Sequence, residues 1–242
     1  MKFFLYTLLV AGLGLAILSC ASSDDSTSSS GSGSTSSTST TTKSYVSVGA
    51  SGTILTSSDG SSWTSRTSGT SNTLIGVTSG NSILAAVGAS GTILTSSDGI
   101  SWTSRTSGTS NILYGITYAN STFVAVGASG TILTSSDGTS WTSRNSGTSI
   151  ILYGVTYGNS TFLAIGASGT ILTSSDGTSW TSRTSGTSKN IYGAHYVNNS
   201  FWAAGESGTL LYSSDGISWG GDTGTQSYYL HGVSYGNNII VA

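Results

Sequence analysis

Gly130-Thr131-Ile132-Leu133-Thr134-Ser135-Ser136-Asp137-Gly138 decides the fold, because this stretch returns along the chain at a fixed interval. Identical copies begin at residues 52, 91 and 169, and a close variant begins at 208, so the period is 39 residues. A fixed period of this size is typical of units that bury their faces only against neighbouring units. The sequence therefore predicts a repeat domain over residues 45–242.

One unit contains four short segments with strand character. In the third unit they are Leu113–Tyr118, Thr122–Gly127, Gly130–Ser135 and Ser140–Asn145, separated by Asn, Asp and Gly residues that favour tight turns. Four antiparallel strands in about 40 residues match one blade of a β-propeller, whereas a parallel β-solenoid usually needs fewer residues per coil and no hairpins. We expect an all-β protein, a β-propeller of four-stranded antiparallel blades.

Composition agrees with strands and excludes other classes. The 242 residues include 34 glycines and no proline, and only 7% are charged. Seven Lys and Arg residues and a net charge of −2 cannot form the dense basic surface that nucleic acids require, so no nucleic-acid partner is expected.

The turn Ser135-Ser136-Asp137-Gly138-Thr139-Ser140-Trp141 resembles the Asp box of bacterial neuraminidase repeat (BNR) propellers. That family has its aromatic residue five positions after the aspartate, but here the gap is four, so we expect a tighter turn. The carboxylate would accept backbone N–H groups, and the Trp would cover the edge between blades. A calcium site is the alternative, yet one carboxylate per turn supplies too few oxygens. The equivalent residues are Asp59, Asp98, Asp137, Asp176 and Asp215, with Trp63, Trp102, Trp141, Trp180 and Trp219.

The N-terminal residues resemble a bacterial lipoprotein signal. Lys2 precedes an apolar stretch, and a small residue stands before Cys20, the only cysteine. The resemblance implies that residues 1–19 are a signal peptide and that Cys20 is lipidated. Residues 20–44 carry mainly Ser, Thr and Gly, which predicts a disordered linker with a reach of roughly 27 Å. The expected location is the bacterial cell envelope, at the outer membrane or cell surface. An ordinary cysteine near a cleavage site and an uncleaved anchor are alternatives.

Both ends of the repeat domain fall within a blade. Residues 45–49 align with a second strand, and the chain ends with a first strand at 229–235 and part of a second at 238–242. In one arrangement the C-terminal first strand pairs with the three N-terminal strands and closes a five-bladed ring, which leaves no long open edge. In the other, the five repeats are a fragment of a larger ring.

Sialidases share the propeller fold, but the residues argue against an enzyme. The arginines Arg66, Arg105, Arg144 and Arg183 are repeat-equivalent, so the ring would hold them apart. Outside the linker and Asp boxes the acids are Glu206 and Asp222, and glycoside hydrolysis usually needs two carboxyl groups at a defined separation. Two histidines, His195 and His231, are too few for a metal site. We expect no catalytic residue, metal or cofactor.

A candidate ligand face comes from comparing the copies with one another. They differ most just before each first strand, where the pairs include Lys189-Asn190 and Tyr228-Tyr229. In a propeller these loops share one face with the turns between second and third strands, opposite the Asp boxes. Loop tips on a rigid scaffold commonly collect binding residues, although unselected drift is an alternative. The candidate residues are Lys189, Asn190, Tyr228, Tyr229 and the following aromatic residues Tyr114, Tyr153, Tyr192 and His231.

The first functional hypothesis is a lipid-anchored propeller without catalytic activity that binds an envelope protein or a glycan. A structural or assembly role is the second, since photosystem II assembly factors resemble these propellers. A sialidase-like hydrolase is the third, and regular Thr rows that bind an ice or mineral surface are a fourth.

Overall fold

The structure is a computed structural model that describes residues 19–22, 45–236 and 239–242. The predicted signal peptide, apart from residue 19, and residues 23–44 of the predicted linker lie outside the described residues. Within the described ranges the chain is all-β, as predicted, and its regular structure consists of antiparallel strands and short 3-10 turns.

Five four-stranded antiparallel sheets follow one another in the described part of the chain, each with its strands in sequence order. The first contains β1 (Ser19–Ser22), β2 (Tyr45–Val48), β3 (Ile54–Ser57) and β4 (Thr64–Arg66). The second contains β5 (Leu74–Gly80), β6 (Ile83–Gly88), β7 (Ile93–Ser96) and β8 (Thr103–Arg105). The third contains β9 (Leu113–Ala119), β10 (Thr122–Gly127), β11 (Ile132–Ser135) and β12 (Thr142–Arg144). The fourth contains β13 (Leu152–Gly158), β14 (Thr161–Gly166), β15 (Ile171–Ser174) and β16 (Thr181–Arg183). The fifth contains β17 (Ile191–Val197), β18 (Ser200–Gly205), β19 (Leu210–Ser213) and β20 (Gly220–Asp222). A separate hairpin joins β21 (Ser234–Gly236) and β22 (Ile239–Val241).

The third strand of each unit is shorter than predicted, because its first residues form a turn. In the third unit Ala128–Gly130 is a 3-10 turn, so the strand begins at Ile132 rather than at Gly130. Gly130 has φ +67°, and a Cβ there would lie 2.0 Å from the carbonyl oxygen of Thr148. Only glycine meets both demands. The equivalent turns are Ala50–Gly52, Ala89–Gly91, Ala167–Gly169 and Glu206–Gly208.

The hydrophobic core lies between successive sheets. One cluster joins Val126 and Ile132 of the third sheet to Leu152, Phe162 and other side chains of the fourth. Similar clusters join the first sheet to the second, the second to the third, and the fourth to the fifth. Each sheet thus stabilises its neighbours, as the repeat period predicted.

The two ends of the domain differ from the predicted closed ring. Ser19–Ser22 pairs with Tyr45–Val48 and holds the innermost position of the first sheet. That position is the one the C-terminal first strand would take in the closed ring. Within the described residues, Ser234–Gly236 instead pairs with Ile239–Val241. The closing pair of the five-bladed ring is therefore not formed among these residues.

Candidate functional site: an aromatic row on the innermost strands

The Asp-box carboxylates are occupied by their own turns. Oδ1 of Asp137 accepts hydrogen bonds from the backbone N–H of Thr139 and of Ser140, at 2.8 and 2.9 Å, and from the Ser135 hydroxyl. The Ser135 oxygen in turn accepts the Gly138 N–H at 2.8 Å. These donors favour the charged form, and the same pattern holds the pKa of every Asp-box carboxylate below its usual range. Each of these carboxylates is thus bonded within its own turn, and the assignment of the turns as Asp boxes stays a prediction.

The Trp residues of the turns pack on the sheet edges. The indole N–H of Trp141 donates to the Gly138 carbonyl at 3.1 Å, and its ring lies 6.2 Å from that of Phe123. Trp102, Trp180 and Trp219 each contact a different inter-sheet cluster, whereas Trp63 is 40% exposed.

The loops before the innermost strands lie on the face opposite the Asp boxes. Strands in each sheet alternate in direction, so these loops share an end with the 3-10 turns. Hydrogen bonds join the two, for example from the Glu206 N–H to the Asn190 carbonyl at 2.8 Å. We call this end the loop face. The structure places the candidate ligand residues there, and their role in binding stays a prediction.

Aromatic side chains form a continuous row across the innermost strands at the loop face. The ring centroids of Tyr114 and Tyr153 are 5.7 Å apart, and those of Tyr153 and Tyr192 are 5.4 Å apart. His231 stacks on Tyr192 at 5.2 Å with an interplanar angle of 25°. Tyr229 extends the contacts, at 6.3 Å from Tyr192 and 6.4 Å from His231. These five side chains are the aromatic row.

A β-bulge positions each tyrosine of the row that lies in a strand. Leu152 is opposite Gly166 and Gly154 is opposite Ile165, so Tyr153 is an extra residue without a partner. The third and fifth sheets shift register at the same place, which leaves Tyr114 and Tyr192 unpaired in the same way. Bulges re-aim side chains and are frequent beside functional sites.

Two of the glycines that follow the aromatic residues, Gly115 and Gly193, let the backbone of the next unit approach closely. A Cβ on Gly193 would lie 2.8 Å from the Gly232 Cα, and one on Gly115 would lie 3.0 Å from the Gly154 Cα. The backbones therefore meet without side chains between them. This close approach brings the rings that precede these glycines into contact.

Two polar side chains, Glu206 and Asn190, border the aromatic row at the fifth sheet. Glu206 Oε2 accepts the Asn190 N–H at 3.3 Å, and the Asn190 side-chain amide contacts the Tyr192 hydroxyl at 3.4 Å. The pKa of Tyr153 is raised, mainly because burial disfavours the charged phenolate. The negative charges of Tyr192, Tyr114 and Glu206 raise it further. Sequence analysis missed Glu206 as a site residue. The signal was present, because the equivalent position in the other four turns is Ala.

Not every candidate joins the row. Lys189 is half-buried in its loop, where its backbone N–H donates to the Thr187 hydroxyl at 3.1 Å. Tyr228 is 55% exposed and lies over Gly208. The row ends toward the second sheet because Ile75 occupies the equivalent position there.

The repeat-equivalent arginines lie on the outermost strands, one in each of the first four sheets. The Arg183 Nε donates to the Thr173 hydroxyl at 2.8 Å, and the other three make the same bond. Polar clefts of about 510 and 460 Å³ lie beside Arg183 and Arg105. Each arginine is thus held by its own sheet.

Among the residues that the structure describes, no group of three His, Cys, Asp or Glu side chains could hold a metal ion. No helix in this part of the chain is long and apolar enough to cross a membrane.

Comparisons with solved structures give the architecture. YCF48 from Cyanidioschyzon merolae is similar with a TM-score of 0.59 and 18% identity, over 81% of this chain and 72% of that one. YCF48 bound to D1 peptide is similar with a TM-score of 0.54 and 23% identity, over 73% and 62%. The computationally designed Ika8 protein is similar with a TM-score of 0.63 and 15% identity, over 92% and 66%.

The fold is a β-propeller. The five four-stranded sheets are its blades, and Tyr114, Tyr153 and Tyr192 of the aromatic row lie on the innermost strands of three of them. The chain spans about two thirds of the length of these structures. No protein-family model matches it, and no curated protein matches it. The resemblance to BNR propellers stays a prediction.

Proposed function

We propose that the protein is a lipid-anchored propeller of the bacterial cell envelope that binds a protein partner, or a glycan, and performs no catalysis. The observation that carries this proposal is the aromatic row, which runs from Tyr114 across three blades to His231, in the segment between the fifth blade and the hairpin. A row of this length suits an extended ligand better than a small compact one.

The chemistry of the row supports binding. Tyrosine offers a large rigid surface together with a hydroxyl, and for this reason it is common at protein interfaces. The end of the row is open to solvent, since Tyr229 is 57% exposed. A propeller of the same fold, YCF48, has been solved with a D1 peptide bound. That complex supports a peptide rather than a glycan as the ligand proposed here.

The absence of catalysis is supported by how the acids and arginines are used. The Asp-box carboxylates accept hydrogen bonds in their own turns, and each arginine is held by a threonine of its own blade. The remaining acids described, Glu206 and Asp222, lie on an inner turn and on an outermost strand. Nothing in this distribution resembles two carboxyl groups on opposite sides of a scissile bond.

The lipid anchor depends on Cys20, and here the proposal conflicts with a pairing in the structure. Cleavage before Cys20 removes Ser19 from β1 and leaves three residues paired with β2. An acyl chain gains roughly 0.8 kcal/mol per CH₂ buried in a membrane, and a hydrogen bond contributes about 1 kcal/mol net. One long acyl chain therefore outweighs this short strand. In the lipidated protein we expect Cys20 to leave β1.

The anchor is tested by expressing the full chain in a bacterium with Cys20→Ala and with Ser22→Ala as the matched control. Incorporation of an alkyne fatty acid and partition into the membrane fraction are measured. Both should be lost in Cys20→Ala and kept in the control. If Cys20→Ala is processed and partitions as the wild type does, the anchor is wrong.

Binding is tested by replacing Tyr114, Tyr153 and Tyr192 together with Ile, the residue that the second blade carries at the equivalent position 75. The control is Tyr212→Thr, which removes a 51% exposed tyrosine of β19 far from the row and restores the residue of the other repeats. Partners are cross-linked in envelope extracts and their affinity for purified protein is then measured. The triple variant should bind at least tenfold more weakly at an unchanged melting temperature. Equal affinity in the triple variant and the wild type would refute the row as the binding site.

A further inference from the structure

The fifth blade departs from the repeat at the loop face in a way that adds negative charge to the aromatic row. The first residue of the 3-10 turn is Ala50, Ala89, Ala128 or Ala167 in the other blades, and Glu206 here. The fold of the turn does not require the carboxylate, since the alanine turns adopt the same backbone conformation. A residue that the scaffold does not need is a candidate for a role in binding.

The carboxylate is held against the row rather than extended into solvent. Its Oε2 accepts the Asn190 N–H at 3.3 Å, and the amide of the same Asn190 contacts the Tyr192 hydroxyl at 3.4 Å. In the described part of the chain, no lysine or arginine forms an ion pair with it, and this includes Lys189, the residue before Asn190. The negative charge is therefore not neutralised by the protein around it.

Three aromatic rings lie near the turn that begins at Glu206, because the Leu230 N–H, between Tyr229 and His231, donates to the Gly205 carbonyl at 2.9 Å. Tyr192 and His231 stack at 5.2 Å, and the Tyr229 ring lies 6.3 and 6.4 Å from them. Tyr229 and His231 are both exposed, so a ligand group can reach the rings from solvent. A cation within about 6 Å of a ring centroid is attracted by the negative face of the ring.

We propose that Glu206 and the rings of Tyr192, Tyr229 and His231 bind the cationic side chain of a lysine or arginine in an extended peptide. This inference rests on the proposed function, because it specifies the ligand of the same aromatic row. The carboxylate supplies a charge-assisted contact and the two tyrosine rings supply cation–π contacts, while His231 stacks on Tyr192 and holds it in place. A peptide without a positive charge gains neither, and a carboxylate or phosphate group is repelled.

The test uses two peptides that differ in charge alone. Acetyl-Gly-Ser-Arg-Ser-Gly-amide and the same peptide with citrulline in place of Arg are titrated into the full chain, and binding is followed by NMR chemical shifts. Citrulline keeps the shape of arginine without its charge. We expect the Arg peptide to bind at least tenfold more tightly.

Two protein variants separate a local site from a general charge effect. Glu206→Gln keeps an acceptor for the Asn190 N–H but removes the charge, whereas Asp222→Asn removes the same charge from an outermost strand. Glu206→Gln should lower the affinity for the Arg peptide about tenfold and leave citrulline binding unchanged. Asp222→Asn should change neither.

The outcomes also separate this inference from the proposed function. If both peptides bind equally, or do not bind, or if both variants weaken binding equally, the cation site is wrong. Binding of an uncharged oligosaccharide such as chitohexaose that depends on the tyrosines and not on Glu206 would also overturn it. In these cases, loss of an envelope partner in the triple tyrosine variant would still support the proposed function.

Discussion

The substitution Gly193→Ala should break the contact between Gly193 and Gly232, which aligns the end of the aromatic row. The added Cβ would lie 2.8 Å from the Gly232 Cα and 2.8 Å from the His231 carbonyl oxygen, closer than real Cβ atoms come to such neighbours. Both obstacles are backbone atoms, which cannot rotate away as a side chain can. The strand that carries Gly193 and the segment that carries Gly232 must therefore move apart by a large fraction of an ångström. The rings of Tyr192 and His231, now 5.2 Å apart, would then lose their stacking.

The equivalent glycine of the fourth blade provides the control. A Cβ on Gly154 would meet the Ile165 side chain first, at 3.3 Å, and the nearest backbone atom of the next blade, the Tyr192 carbonyl oxygen, only at 3.8 Å. A side-chain methyl group can adjust by a few tenths of an ångström. Replacement of glycine by alanine also reduces the entropy of the unfolded chain, which stabilises by about 0.4 to 1 kcal/mol where the backbone accepts it.

We therefore expect a clear loss of stability from Gly193→Ala and little change from Gly154→Ala. Gly193→Ala carries an overpacking cost of about 1 to 3 kcal/mol, and Gly154→Ala should be neutral within about 1 kcal/mol. In a chain of this size, 1 kcal/mol corresponds to about 2 to 4 °C in the melting temperature. Urea unfolding, thermal unfolding and affinity for the row's ligand are measured for both. Equal stability and equal affinity in the two variants would refute the argument that the glycines set the spacing of the row.

Four further predictions concern the turns, the core, the loops and catalysis. The pKa of Asp98 is lowered to about 2, so its charged carboxylate stabilises the fold above pH 4 and this contribution is lost as the pH falls toward 2. Asp98→Asn should therefore flatten the acid side of a profile of melting temperature against pH. An unchanged profile would contradict this. Phe162→Ala should destabilise by about 3 to 5 kcal/mol in urea unfolding, because this ring is fully buried between blades, and a loss below 1 kcal/mol would be inconsistent with that packing. Lys189-Asn190 and Tyr228-Tyr229 can each be replaced by Asn-Thr, the pair found at the equivalent positions 72 and 73. This exchange should weaken ligand binding at wild-type stability, and unchanged affinity would leave those loops without a role. The wild type should release no fluorophore from a fluorogenic sialoside, and turnover that Glu206→Gln abolishes would show that it is an enzyme.

Much of the candidate site could be predicted from the sequence, but not its geometry. The repeat alignment placed Tyr114, Tyr153, Tyr192 and His231 at one level and on one face. It could not show that the rings touch, because the spacing between blades depends on backbone approach at glycines in different strands. It also missed Glu206, whose carboxylate reaches the row only through its contact with Asn190.

The sequence by itself determined the all-β class, the 39-residue unit and the order of strands within it. Each of these follows from local chemistry, since turn residues and alternating side chains act within a few positions of one another. Only the tertiary structure decided the bulges, which depend on register with a partner strand. In the uncleaved chain it also decided the occupant of the innermost position in the first blade, Ser19–Ser22. Strand pairing there uses backbone N–H and C=O groups, which all residues but proline carry, so no side-chain pattern marks which segment will fill the position.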